Sequence, residues 1–298
     1  MRSGPSYVAV FSTIVRNSLV RDLSFRSNFL IESISSVSWI VMNLGFYLLI
    51  FQYTDEIGKG SGWGKYEFFV FLATTMFINS VVQAFFMPNA QEFSELIRTG
   101  NLDFALLKPI DTQFLISTHR VEWSALSNSI VAATLLGYSL FRLTTRPEDP
   151  LTLSPVLWIV YPFYIVCGIA IMYSLMISLA ATSIWLGRNQ TLYNFWFYIT
   201  NFSRYPMEIY GGQAGESSRL ATFGNALRVV FTFVIPVLVV VNVPARLLAL
   251  PMRVTETTDW GLPGWALPVF ALFATVGSVA ASRFVFQRAL RSYRSASS

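Results

Sequence analysis

The stretch SVSWIVMNLGFYLLIF, residues 36–51, is uncharged from end to end. Its apolar flanks extend it over about Ile34–Tyr53. A helix rising 1.5 Å per residue needs about 20 residues to cross roughly 30 Å of hydrocarbon. Residues 34–53 meet that length, so they are predicted to span a bilayer. Five further segments qualify: Tyr66–Met87, Phe114–Phe141 with an apolar centre at Trp123–Leu140, Pro155–Leu186, Val229–Leu250 and Trp265–Phe286. The fourth is long enough to tilt or to project from the membrane. Between the runs, DEIGKGSGWGK, TTRPEDPLTLSP and RVTETTDWGLPG read as short loops in water.

Composition agrees. Charged residues make up 12% of the 298 positions, half of the roughly 25% usual in soluble domains. Hydrophobic residues reach 54% and aromatics 16%, so one soluble domain would expose large apolar patches. The net charge of +5 comes from cations scattered between apolar runs, which argues against a nucleic-acid face. Cys167 is the only cysteine and His119 the only histidine, so no intrachain disulfide and no His/Cys metal cluster can form. Neither a metal nor a cofactor is expected. No cleaved leader is expected either, because the first long apolar run begins beyond residue 33.

The expectation is one all-α polytopic membrane domain over 1–298, with six transmembrane helices. Residues 88–113 and 187–228 are expected as cytoplasmic loops. With both termini cytoplasmic, about 15 of the 21 Lys and Arg fall inside and about 6 outside, as the positive-inside rule requires. Residues 7–32 mix apolar positions at helical spacing (Val8, Phe11, Val15, Leu19) with arginines. That suits an interfacial helix, expected within 1–33, or a cytosolic helix packed on the bundle. Residues 190–210, aromatic and amphipathic, read as an interfacial helix or an extension of the fourth span, ended by Pro206.

The inner loop after the second span, Gln91–Asp111, reads as a short helix, a break at Gly100, a second short helix and a stop at Pro109. Glu92 and Glu95 near its start and Arg98 near the end of its first helix complement the helix dipole. Gly100 sits where helices leave through a left-handed residue. Asp103 is placed to bond the backbone amides just after it. Leu102, Leu106 and Leu107 supply an apolar side. Such an element either docks on a partner or is a structured loop.

The pattern I-R-x-G-x-L-D-x-x-L-L-K-P at Ile97–Pro109 resembles the signature of bacterial type-2 ABC transporter permeases, in the six-span export family. Phe25-Arg-Ser-Asn-Phe29, Phe195-Trp…Tyr205-Pro206, Phe233-Val-Ile-Pro236 and Asn242-Val-Pro-Ala245 are similar to that family in the same order. The resemblance implies the membrane subunit of an ATP-driven exporter in the bacterial inner membrane. It implies that residues 89–110 sit on a separate ABC ATPase subunit. Glu95, Arg98, Gly100, Leu102, Asp103, Lys108 and Pro109 would then be the coupling residues. A second permease subunit, identical or related, and membrane lipids are the other implied partners, with no nucleic acid. It implies a re-entrant outer helix after the fifth span, matched to Pro244–Leu250 and bounded by Pro244 and Pro251, with Arg246 facing the outer interface or a wet vestibule. No enzymatic activity is expected of this chain.

A phosphate-wrapping G-x-x-x-x-G-K-[ST] loop is missing: Gly58-Lys59 and Gly64-Lys65 lack its leading glycine and are succeeded by Gly60 and Tyr66 instead of Ser or Thr. Gly211-Gly-Gln213 reads as a flexible loop. His119, Arg120 and Glu122 form a polar cluster at the inner end of the third span, read as a pair with one another, a pair with the coupling loop, or interfacial snorkelling. Small residues every four positions (Ala170, Ser174, Ser178, Thr182 and Ala274, Ser278, Ser282) permit close helix approach, within the bundle or between subunits. Two other readings compete. A secondary transporter or channel would need broken midplane helices with ion ligands. A lipid-acting membrane enzyme would need convergent acid, base or metal groups.

Overall fold

The computed structural model describes residues 6–58, 60–186, 190–211, 219–251 and 263–293, the side chains of 190–194 and 219–221 excepted. Lys59, Gly212, Gln213, most of the 253–264 loop and the last five residues lie outside these. Among the described residues the chain is helical, apart from loops and the antiparallel bridge of Glu56 with Gly64.

Five stretches are long and apolar enough to cross a membrane. They comprise α2 (Arg26–Ile50), α3 (Lys65–Phe85) running on into α4 (Met87–Arg98), α7 (Trp123–Thr144), α8 (Leu157–Ala181) with its short extension α9 (Ser183–Leu186), and α13 (Ala266–Ser292). A sixth candidate is a pair bent by 86°: Thr222–Val234, and α12 (Val237–Ala249). The first limb continues α11 (Arg219–Val229) through a π turn at Val230–Val234. The remaining elements are α1 (Tyr7–Ser24), α5 (Leu102–Leu106), α6 (Thr112–Thr118) and α10 (Gln190–Asn201).

The core is built on α3, α8 and α12. Phe68, Val70 and Phe71 of α3 are fully buried, with Trp63 stacked edge-on to Phe71. Val237–Val241 of α12 are buried in succession, as expected of a helix enclosed on all sides rather than amphipathic. α3 packs on α7, and α8 on both α12 and α13. The α8–α12 approach requires Gly168: a Cβ there would stand 2.8 Å from the Val240 carbonyl oxygen. Ser174 and Ser282, one from each small-residue series, are buried between packed helices of this protomer. α2 is peripheral, with Trp39, Met42, Phe46 and Leu49 exposed.

Five boundaries differ from the sequence reading. The N-terminal helix ends at Ser24 instead of continuing to residue 33, and α2 starts at Arg26. Charges delimit a hydropathy run, yet the helix continues past Glu32, whose carboxylate accepts from Asn28 at 2.6 Å. The third run breaks at His119–Glu122, so its long helix begins at Trp123. The fifth run is not one straight helix; it turns at Ile235–Pro236, where proline cannot donate to the helix ladder. Pro244 does not open a separate half-helix between it and Pro251; it lies inside α12. Finally, the described residues 190–211 of the expected 187–228 loop do not stay at one end of the bundle. Glu208, in a 3₁₀ turn over Met207–Tyr210, accepts a 2.9 Å bond from the Trp63 indole in the loop between α2 and α3. That loop lies at the end opposite α4–α6.

Candidate functional site

The Gln91–Asp111 stretch has the expected helix, break at Gly100 and second short helix, but its first helix begins at Met87, so Glu92 and Glu95 lie past its first turn, which holds no acid, instead of at its start. α4 starts with Pro88 in its first turn, where a missing N–H costs nothing. Its inner side buries Met87, Asn89, Ala90 and Phe93. On its outer side Arg98 donates to Glu95 at 2.9 Å. Gly100 takes φ 74°, the left-handed exit expected of it. In α5, Leu102 is fully buried and anchors the turn, while Phe104, Leu106 and Leu107 are exposed beside Lys108 and Pro109. Asp103 lies against the Tyr293 hydroxyl at the end of α13; burial first, and Asp103 second, push that phenol up. The structure therefore offers an apolar tip carried on a firmly seated turn.

Three sets of side chains seat it. Asn89, 2% exposed, donates to the carbonyls of Phe85, Ser117 and Arg120 and accepts from the Arg120 N–H at 2.7 Å. It thereby ties α4 to the end of α6 and the junction before α7. Asp111 caps α6 through the Phe114 N–H at 3.0 Å and forms an ion pair with Arg283 of α13. The Arg283 bond, opposed by partial burial, holds the Asp111 carboxyl below its ordinary value. Arg283 also donates to Gln113, and Gln113 and Ser117 both meet the Tyr173 hydroxyl of α8. The third set belongs to α1. Ser18 and Asp22 accept from the N–H groups of Val121 and Trp123 at 3.1 Å each, and Arg21 donates to the Val121 carbonyl. Tyr7 packs edge-on to Phe114 of α6.

The polar cluster His119, Arg120, Glu122 is thus the junction between α6 and α7. His119 stands 4.0 Å from Glu92 of α4, both largely exposed. Arg120 takes part through its backbone. Glu122 donates its N–H to the Ala84 carbonyl at 2.8 Å. Burial pushes its carboxyl up, with Glu32 and Asp22 adding to the rise and Arg120 and Arg21 opposing it. Asn89, Arg283 and Tyr173 had no signal in the sequence beyond being polar side chains in or beside apolar runs.

At the opposite end, Arg246 of α12 forms an ion pair with Glu208, the two side chains 18% and 8% exposed. Asn242 accepts from the Met207 N–H at 2.9 Å. The bent pair is therefore fastened by its own polar residues to the turn that comes after α10. Pro251 lies two residues past the end of α12.

Beside the core, α2, α3 and α10 enclose a groove of about 540 Å³. No cluster of metal-ligating side chains occurs among the described residues. The family model described as ABC-2 family transporter protein matches residues 37–297. No curated protein and no solved structure matches the chain.

Proposed function

This chain belongs to the ABC-2 transporter family, and on that premise we propose that it is the membrane half of an ATP-driven exporter, moved by a separate ATPase subunit seated on α4 and α5. As a member of that family it is a multi-pass membrane protein and an ABC transporter membrane subunit. The observation that carries the coupling role is the exposed Phe104–Leu107 tip. An exposed apolar surface beside Lys108, on a turn at the end of the bundle, suits a protein partner. Glu95, Arg98, Gly100, Leu102, Asp103 and Pro109 hold that tip in shape. Force applied there has direct routes inward: Asn89 to the α6–α7 junction, Asp111 to α13, Gln113 and Ser117 to α8.

In this reading the α4–α6 end is cytoplasmic, in the inner membrane of a bacterium, with both termini on that side. Residues 190–210 form the fifth crossing, since α10 starts beyond α8 and α9 and the chain reaches Trp63 by Glu208. α11 and α12 then form a re-entrant pair from the outer face, and α13 returns. Moving Arg204, Arg219 and Arg228 outward leaves about 12 cations inside against about 9, the same orientation by a narrower margin. One chain supplies half a pathway, so a second permease, identical or related, completes it.

The test is co-purification. The chain alone should hydrolyse no ATP, and should elute from membranes with a subunit that does. Leu107→Asp and Phe104→Asp should release that subunit while the variants still insert. Arg98→Ala and Asp103→Asn should uncouple ATP hydrolysis from transport or loosen the complex. Wild-type association and transport in all four would refute the role.

A further inference from the structure

Asn79, Gln83, Met87 and Gln91 succeed one another at intervals of four along α3 and α4, so they share one helix face. That face is a wall of the 540 Å³ groove. Two of the three carboxamides, Asn79 and Gln83, lie on the membrane-embedded α3, where they are costly unless they meet polar groups, and Gln91 continues the row on α4. To the same lining α2 contributes Glu32, and the α6–α7 junction contributes Glu122. Among the described residues neither carboxylate has a cation within ion-pairing distance; Glu32 accepts only from Asn28. Arg204, just past α10, is the one cation of the lining, and its guanidinium lies over the Phe197 ring at 5.7 Å. It stands four residues before Glu208, toward the end of the bundle marked by Trp63. Glu32 and Glu122 stand toward the α4–α6 end. Trp196 lines the same groove, 4% exposed, and its indole N–H has no partner. The rim is apolar: Ile31 is 64% exposed and Phe197 43%.

A dipolar wall with uncharged donors and acceptors between its poles, under an apolar rim, matches one kind of molecule. We infer that this groove holds the head group of a zwitterionic amphiphile, its amine toward Glu32 and Glu122, its anionic group toward Arg204, and its chain along Ile31 and Phe197. The purpose of such a site, loading an exporter from the bilayer, rests on the transport reading; its chemistry rests on the groove alone. Carboxamides bond either pole without trapping it, as a path for a moving head group requires.

The test is native mass spectrometry of the full chain, released from micelles containing equal amounts of lysophosphatidylethanolamine, lysophosphatidylglycerol and an alkyl maltoside. One bound lysophosphatidylethanolamine is expected, at an occupancy about tenfold above the anionic lipid, as loss of one charge-assisted contact predicts. The Glu32→Gln, Glu122→Gln double variant, which keeps shape, should erase that preference. Gln83→Leu should remove the adduct. Glycerophosphoethanolamine, the same head without a chain, should compete only weakly. A statistical ladder of adducts equal for all three lipids, or an adduct indifferent to both variants, would overturn the inference. So would full competition by the chainless head group. The same preparations are scored for the co-eluting ATPase. An intact complex without lipid preference sinks only the head-group assignment; a selective adduct with no ATPase sinks the transport reading.

Discussion

Replacing Asn89 with leucine keeps the size of the side chain and removes every polar contact it makes. In the structure that strands the Arg120 N–H and deprives the carbonyls of Ser117 and Arg120 of their side-chain donor, inside a site 2% exposed. A buried backbone group without its partner costs about 1–3 kcal/mol. The amide N–H groups are shared among three carbonyls, so the losses do not add in full, and about 3–5 kcal/mol of destabilisation is expected. Unfolding in mixed micelles of rising dodecyl sulfate content, monitored by tryptophan fluorescence, measures it. Ser94→Ala is the control: Ser94 is exposed, with a single 3.4 Å bond to Gln91, and should stay within about 0.5 kcal/mol of the parent. If Asn89→Leu also falls within that margin, Asn89 does not tie α4 to the α6–α7 junction, and the route from the tip to α7 must run elsewhere.

Asp111 sits below its ordinary value of 3.8 because of Arg283, so its stabilising contribution is complete above pH 3.8 and fades only as pH falls through the lower folded value. Unfolding midpoints of the parent and Asp111→Asn should therefore differ by a constant amount at neutral pH and converge only in stronger acid. Arg246→Met should cost about 3–5 kcal/mol by leaving Glu208 buried without its cation, and adding Glu208→Gln should recover most of it. Equal losses in the single and double variants would show that the two residues are not coupled. Gly168→Ala forces a methyl against the Val240 carbonyl and should cost about 1–3 kcal/mol, while Gly168→Leu should prevent recovery of folded protein; a well-folded leucine variant would place α8 and α12 further apart than described.

Hydropathy located five of the apolar helices and the Gln91–Asp111 turn, because each depends on local properties: run length, a left-handed glycine, a proline stop. It was least reliable for the region after α8, and the reason is physical. Val237–Val241 is buried against protein on all sides and is therefore more apolar than α10 and its extension, which carry Thr200 and Arg204 toward a polar groove. Apolarity reports how thoroughly a helix is enclosed, whichever medium encloses it. Arg246 was legible as a charge in an apolar run, but its partner Glu208 lies in a segment read as a loop at the other end. Asn89, Asp111 and Arg283 gain their meaning from neighbours 28 to 172 positions away, which no local pattern encodes.

The bonds between α1 and the residues before α7 carry a consequence for biosynthesis. α1 leaves the ribosome before α7, and the backbone groups that hold it belong to residues 100 to 103 positions later. At about 5–20 residues per second, roughly 5–20 s separate the two events. Throughout that interval α1 lacks these partners, and it can reach its berth only once residues 121–123 have been made.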